Sequence, residues 1–410
     1  MGGPLAGVRV IDLTNTVLGP IGTQLLGDAG ADVIKIEPPA GDAVRQIGPR
    51  REPDMGAYFL NLNRNKRSVV LDLKQAPARA ALQRLIGGAD VLVHNMRLSA
   101  AERLGLGPAR LTAQFPRLIH AAATGFRQAS TRRDEPAYDD IIQGMSGLAH
   151  LTGVTSGADG PRYVPTVLAD KITGHVLASS VAMALYQRER SGRGQALHVP
   201  MLDTVLAFLL PEHLWGETIG DAEGLGYTRM LTPHRRPYAT SDGHLCLIAV
   251  TDAQWTRLLR VIDRADLIAD PRFATMLARA ENIDVVYAAL TTALAGRSTA
   301  EWLARLADAD IPHGTVSTLD ALLEDAYLRE AGFFQTIADR DGATLTTLAI
   351  PVEYSQTPAR IRRPAPRLGE HTREVLAEAG LAEAELTAIL AGAPPGTRPD
   401  APPSRPDRHP

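Results

Sequence analysis

The chain has 410 residues, 45% hydrophobic and 22% charged, enough for two to three domains at roughly 150 residues each. Lys+Arg 43 against Asp+Glu 46 leaves a net charge of −3, so no positive surplus exists to follow a nucleic-acid backbone or an anionic membrane. One cysteine, Cys246, rules out an internal disulfide and any multi-thiolate metal site and fits a reducing compartment.

In chain order, Val8 to Leu13 reads as a buried strand, Pro20 to Asp28 as a helix, and Asp32 to Glu37 as a second strand closed by Pro38-Pro39. This is a strand–helix–strand unit of nucleotide-binding type. Further strands are expected at Ser68–Leu71, Val91–Val93 and Leu118–Ala122, with a helix from Pro77 to Ile86. Such alternation predicts an α/β fold with a mostly parallel sheet covered by helices. Ala169 to Arg190 reads as one long helix stopped by Ser191-Gly192-Arg193-Gly194, followed by a strand at Ala196–Val199.

The expected organisation is a discontinuous large domain, 1–215 with 331–392, a linker at 216–224 and a smaller α/β domain at 225–330. Within the smaller domain, Leu245-Cys246-Leu247-Ile248 makes Cys246 read as a packing residue. Thr372 to Ala379 and Glu383 to Leu390 read as closing helices, and the proline-rich stretch 393–410 as a disordered tail. Met1 to Leu5 carries no cationic leader and no window reaches about 18 apolar residues. A cytoplasmic protein is therefore expected.

The first strand–helix turn invites a dinucleotide, because Glu37 stands where an acid would hold a ribose hydroxyl. The turn Thr14-Asn15-Thr16-Val17-Leu18-Gly19-Pro20 lacks the glycines that let amides close on a pyrophosphate, and no Walker-type loop occurs. The 11 histidines form no pair at metal-ligand spacing, and no Gly-x-Ser-x-Gly turn is present. What remains is Tyr163 to Gly174, an apolar run that delivers Asp170 at the start of the long helix. Asp170 reads either as a helix cap or as a carboxylate nucleophile, with Gly174 then allowing a substrate to approach closely. Only four lysines occur, at 35, 66, 74 and 171; codon bias in a GC-rich genome accounts for such an imbalance first, and the alternative is that each retained lysine stands where arginine cannot replace the compact ammonium.

Several blocks in order carry a resemblance: Leu5 to Leu13, Gly30 to Glu37, Asn63 to Ser68 with Asp72-Leu73-Lys74, Arg103 to Leu106, Tyr138-Asp139, Leu168-Ala169-Asp170, Arg188 to Gln195 and Leu368 to Thr372. The chain resembles class III CoA-transferases of the CaiB/BaiF group, which includes formyl-CoA and carnitine CoA-transferases and α-methylacyl-CoA racemases. The resemblance covers about residues 4–390. It implies a Rossmann-like large domain, an interlocked homodimer, an acyl-CoA and a free carboxylic acid as substrates, and no tightly bound cofactor. Asp170 stands at the family's catalytic aspartate. Val17, Leu18, Leu71, Asp72, Leu73, Lys74, Asn95, Met96, Arg97, Arg103, Ala137, Tyr138 and Asp139 align with segments that hold CoA. Pro38 departs from the arginine of formyl-CoA transferase. The racemase branch places a histidine before its aspartate for proton transfer; here that residue is Tyr138, whose phenol is a poor base near neutral pH. A non-catalytic acyl-CoA-binding protein is the remaining alternative.

Overall fold

A computed structural model describes residues 2–157 and 159–391; the proline-rich stretch 393–410 lies outside the described residues. The chain divides into two compact units, one of residues 1–145, 166–206 and 331 onward, the other of 146–165 and 207–330. Residues 146–165 and 207–224 thus join the smaller unit, not the large domain and linker of the sequence reading. Tertiary contacts decide this: the helix Leu148–Ser156 packs on Thr228–Leu231, and the Gly226 N–H donates to the His213 carbonyl.

The large unit is built on six parallel strands, β1 (Arg9–Leu13), β2 (Asp32–Glu37), β3 (Lys66–Val70), β4 (Val91–His94), β5 (Ile119–Thr124) and β6 (Ala196–Pro200), in the order β3-β2-β1-β4-β5-β6. Alternate residues serve opposite faces. Val10, Val33, Val91 and Ile119 meet Leu18 and Leu26 of the first helix and Leu177, Val181 and Leu185 of the long helix. Ile11, Ile34, Val69 and Leu92 meet Leu82, Leu85, Ile86 and the C-terminal Leu376 and Leu386. A doubly wound sheet of this order reverses direction between β1 and β4, where a crevice opens at the carboxyl ends of the strands.

The long helix spans Leu168–Ser191 and stops at Gly192, whose φ of 72° is left-handed. It packs against the first helix, Leu18–Asp28, through facing glycines. A Cβ on Gly22 would lie 2.8 Å from the Gly174 carbonyl oxygen, and one on Gly174 would lie 2.2 Å from the Ile21 methyl. Gly174 therefore lets two helices approach, correcting the reading that it clears space for a substrate.

β3 is an edge strand, and the Leu368–Thr372 motif covers it. The His371 N–H donates to the Ser68 carbonyl, the Ser68 N–H to His371 Nδ1, and the Val70 N–H to Thr372 Oγ1. A row of groups that would otherwise template aggregation is thereby paired.

His94 closes β4, fully buried, with its ring edge-on to His120 at 5.1 Å between centroids. Only weak support from the Met96 backbone reaches it, and burial, then His120 and His198, push its pKa down to about 3. Because the unfolded chain protonates this imidazole near 6.5 while the fold keeps it neutral, stability is full above that pH and falls as pH drops towards 3. Denaturant unfolding at pH 7 and 5.5 should show a loss of about 1.4 kcal/mol per unit below the unfolded value. His94→Leu should remove that component of the slope.

The smaller unit has an antiparallel sheet, β7 (Tyr238–Ala239), β8 (His244–Leu247) and β9 (His313–Thr315), with helices Asp252–Val261 and Thr299–Asp308 around Trp255, Leu258 and Trp302. Leu245 faces this core and Cys246 is exposed. Strand alternation sends adjacent side chains to opposite faces, which overturns the packing role read for Cys246.

Candidate active site

A cavity of about 860 Å³ occupies the carboxyl ends of the six strands, with Asp170 in its wall, within the size range of ligand pockets. The turn after β1 forms one side. Three of its amides are already taken: Thr14 N–H donates to Asp12 Oδ1 at 2.9 Å, Asn15 N–H to Asn95 Oδ1 at 3.1 Å and Thr16 N–H to Asp42 Oδ1 at 3.1 Å. Glu37 is equally committed, gripped bidentately by Arg45 at 2.7 Å and accepting from Ser68 Oγ at 2.6 Å. Glu37 is therefore no free ribose-binding acid, and the turn lacks the glycines of a dinucleotide fingerprint.

Lys35 and Lys66 are fully buried beneath this wall. Lys35 Nζ donates to the Thr14 carbonyl at 2.8 Å and to Asp42 Oδ2 at 2.9 Å, and Lys66 Nζ reaches Asp12 Oδ2 at 3.2 Å. Burial would raise the Asp12 pKa, but Lys66 and Lys35 hold it below the ordinary carboxylate value. A compact ammonium fits among several carbonyls where a planar guanidinium does not. Two of the four lysines thus fix the turn that shapes the cavity, while Lys171 donates to Thr166 Oγ1 at 2.7 Å beside the helix start.

Of the residues aligned with CoA-holding segments, Leu18, Leu71, Asp72, Leu73, Lys74, Asn95, Met96, Arg97, Ala137 and Tyr138 line the cavity. Asp72 accepts from the Lys74 N–H at 3.1 Å and Arg79 donates to the Leu73 and Lys74 carbonyls, which fixes the loop bearing the Lys74 amine. Lys74 and Arg97 are exposed, and no ion pair engages either among the described residues. Three expected residues are not in the wall. Val17 is buried as the N-cap of the first helix, and Arg103 ends the short helix Leu98–Arg103 with its side chain exposed.

Asp139 is the third, buried behind the wall. Its Oδ1 accepts the Asp170 N–H at 3.0 Å and its Oδ2 the Gln143 amide at 2.5 Å. Asp139 thus satisfies a free amide of the long helix's first turn, so Asp170 is not needed as a cap. Among the described residues, the Asp170 carboxylate accepts no hydrogen bond. Burial, then the charges of Asp139 and Asp140, push its pKa up to about 7, despite the helix N-terminus, which favours the anion.

Tyr58, from the short helix Ala57–Leu62, also stands near this site. Its pKa is raised by burial and then by the charges of Asp170 and Asp139. No motif flags it, because a separate segment brings it there.

The sequence matches the family described as CoA-transferase family III over residues 5–372. The chain belongs to that family. It is 34% identical over 386 residues to the succinate–glutarate CoA-transferase of Agrobacterium fabrum, covering 92% of this chain and 95% of the relative. It is 38% identical over 318 residues to the acetyl-CoA:oxalate CoA-transferase of Acetobacter aceti, covering 76% and 80%. A crystal structure of a CaiB/BaiF family protein from Brucella suis superposes with a TM-score of 0.76 at 29% identity, covering 92% of this chain and all of that one. The protein is accordingly an enzyme of the class III CoA-transferase type, whose substrates are CoA thioesters and carboxylates. Among the described residues, no helix is long and apolar enough to cross a membrane.

The environment of Asp170 sets an expected pH dependence. If its carboxylate must be ionised to act, kcat/KM rises with pH through about 7. Asp139→Asn keeps an oxygen for the Asp170 N–H but removes the neighbouring negative charge, so the Asp170 pKa falls. The acid limb of the kcat/KM profile should then move to lower pH; an unmoved limb would detach the profile from this pair.

Proposed function

We propose that the enzyme transfers CoA from an acyl-CoA to a free carboxylic acid through a covalent intermediate on Asp170. The observation that carries this reading is the Asp170 carboxylate, which among the described residues is paired with no cation or donor, in the wall of a cavity whose rim presents Lys74 and Arg97. Desolvation and like charge make it more basic than an ordinary aspartate, and a more basic oxygen is the better nucleophile.

Ionised Asp170 attacks the thioester carbonyl carbon; the C–S bond breaks and CoA leaves as its thiolate, giving a mixed anhydride. The thiolate then attacks the Asp170 carbonyl carbon of that anhydride. The donor acid leaves as carboxylate and an aspartyl-CoA thioester remains. An acceptor carboxylate attacks this thioester, and the returning thiolate attacks the acceptor's carbonyl, regenerating Asp170. No net proton is consumed and no nucleotide triphosphate is needed. Lys74 and Arg97 supply charge for the CoA phosphates, Arg97 as a planar fork.

Among the described residues no histidine lines the cavity, so the two-base chemistry of a racemase has no imidazole here, and Tyr138 occupies the wall instead. The relatives named for succinate, glutarate and oxalate put short dicarboxylic acids first as donor and acceptor acids. We include in this reading the homodimer that the resemblance implies, which light scattering would measure. The deciding experiment incubates the protein with succinyl-CoA and each of a panel of carboxylic acids, followed by mass spectrometry of the thioesters. New acyl-CoA species with release of succinate support the reading; no exchange with any acid overturns it.

A further inference from the structure

A second cavity, of about 640 Å³, lies in the large unit and shares no lining residue with the first. Three segments wall it: the one from Pro49 to Leu60, the hairpin between Asp339 and Thr346, and the stretch from Arg362 to His371. Six arginines line it, Arg50, Arg51, Arg340, Arg362, Arg363 and Arg367, against three acids, Glu52, Asp339 and Glu370. The wall therefore carries an excess of positive charge with no lysine in it.

Most of these guanidiniums have a structural task. Arg367 pairs with Glu52 and Asp341, and Arg340 with Glu370 at 3.2 Å. Arg362 donates to the carbonyls of Gly27, Gly30 and Ala31, where the first helix ends, and Arg51 donates to the Thr344 carbonyl at 3.0 Å. Arg363 is different: its backbone is pinned to Asn65, yet among the described residues its exposed guanidinium has no partner. Its charge is felt by both Arg362 and His371, and among the described residues no ion pair engages it, unlike Arg340 and Arg367.

Met55, Leu60, Leu345 and Pro364 give the lining apolar surface beside the polar Thr344, Thr346 and His371. Positive charge beside apolar surface in one cavity fits an anion that carries an apolar body. A phosphate monoester carries up to two negative charges on three acceptor oxygens, against one charge on two oxygens for a carboxylate, and so gains more from the fork of Arg363 within a wall that has an excess of arginine. We propose that this cavity is a second ligand site, which takes an organic phosphate monoester with Arg363 as its principal contact.

The wall behind the site leads to the catalytic cavity. The Pro366 carbonyl, in this lining, accepts two bonds from Arg45 at 3.2 Å, and Arg45 grips Glu37, which lines the catalytic cavity. The proposal concerns binding, and it stands apart from the assignment of Asp170.

The test is calorimetric titration of the full chain at low salt with phenyl phosphate as probe, dephospho-CoA, which has no phosphate monoester, held saturating to fill the catalytic cavity, and benzoate as the carboxylate control. Binding of phenyl phosphate at least tenfold tighter than benzoate is expected. Arg363→Gln should weaken it at least tenfold while kcat and the KM for acyl-CoA stay unchanged. Should Arg363→Gln unfold, Arg363→Lys, which keeps the charge and loses the fork, must still weaken binding. Absent binding, equal binding of benzoate, or binding that survives Arg363→Gln but is lost in Lys74→Gln each overturns the proposal; the last would put the anion in the catalytic cavity.

Discussion

Asp170→Ala should reduce the transferase turnover number by on the order of 10⁴-fold or more, the scale of removing a covalent nucleophile, while the Kd for acyl-CoA stays within a few-fold of the native value. The reason is that binding and chemistry draw on different atoms. Leu71 to Lys74 and Asn95 to Arg97 form a rim held by Asp72, Arg79 and Asn15, none of which depends on the Asp170 side chain. The long helix should also keep its position, because Asp139 binds the Asp170 backbone N–H, which alanine retains. Asp170→Asn is the sharper variant, isosteric but without a nucleophilic oxygen anion. Rapid quenching of the native enzyme should reveal an acyl or CoA adduct on the peptide containing Asp170. Full turnover in Asp170→Asn would sink the assignment.

Arg45→Leu should lower the unfolding free energy by about 3–5 kcal/mol, the usual cost of stranding one member of a buried ion pair. Arg45 and Glu37 are almost wholly inaccessible, and the guanidinium also lies 3.6 Å over the centroid of the Phe59 ring. Its removal leaves Glu37, among the described residues, with hydrogen bonds from Ser68 and the Asp42 N–H alone, and it frees the Pro366 carbonyl. Replacing both, in Glu37→Leu with Arg45→Leu, removes the stranded charge and should recover much of the loss. Urea denaturation of the single and double variants measures both. Equal destabilisation by the two would mean that the cost is packing around Phe59, not an uncompensated charge.

The two expectations differ in how visible their residues are in the sequence. Asp170 is legible because a lone carboxylate follows an apolar run at a helix start, and because the ordered blocks around it resemble a known family. The Glu37–Arg45 pair is not. Glu37 ends a strand where dinucleotide folds use an acid, so its local setting points to a ribose; Ser68 and Arg45 are what consume its oxygens. The same holds for Asp139, which sits in a matching block and aligns with ligand contacts, yet turns its carboxylate to an amide 31 residues away. Tyr58 carries no signal at all.

By itself, the sequence determined the alternation of strands and helices in the large unit, the start and stop of the long helix, the parallel α/β class, the family and the candidate nucleophile. Each rests on periodicity, capping residues or ordered motifs, which act between near neighbours in the chain. The tertiary structure decided which residues face the cavity. It left Val17, Asp139 and Arg103 out of the cavity wall, made Gly174 a helix-packing residue, turned Cys246 outward, and moved residues 146–165 and 207–224 into the smaller unit. These outcomes depend on which face of an element meets which partner, and the partners lie tens to hundreds of residues away. A side chain's role is fixed by the groups that desolvate and pair it, and only the assembled fold brings those groups together.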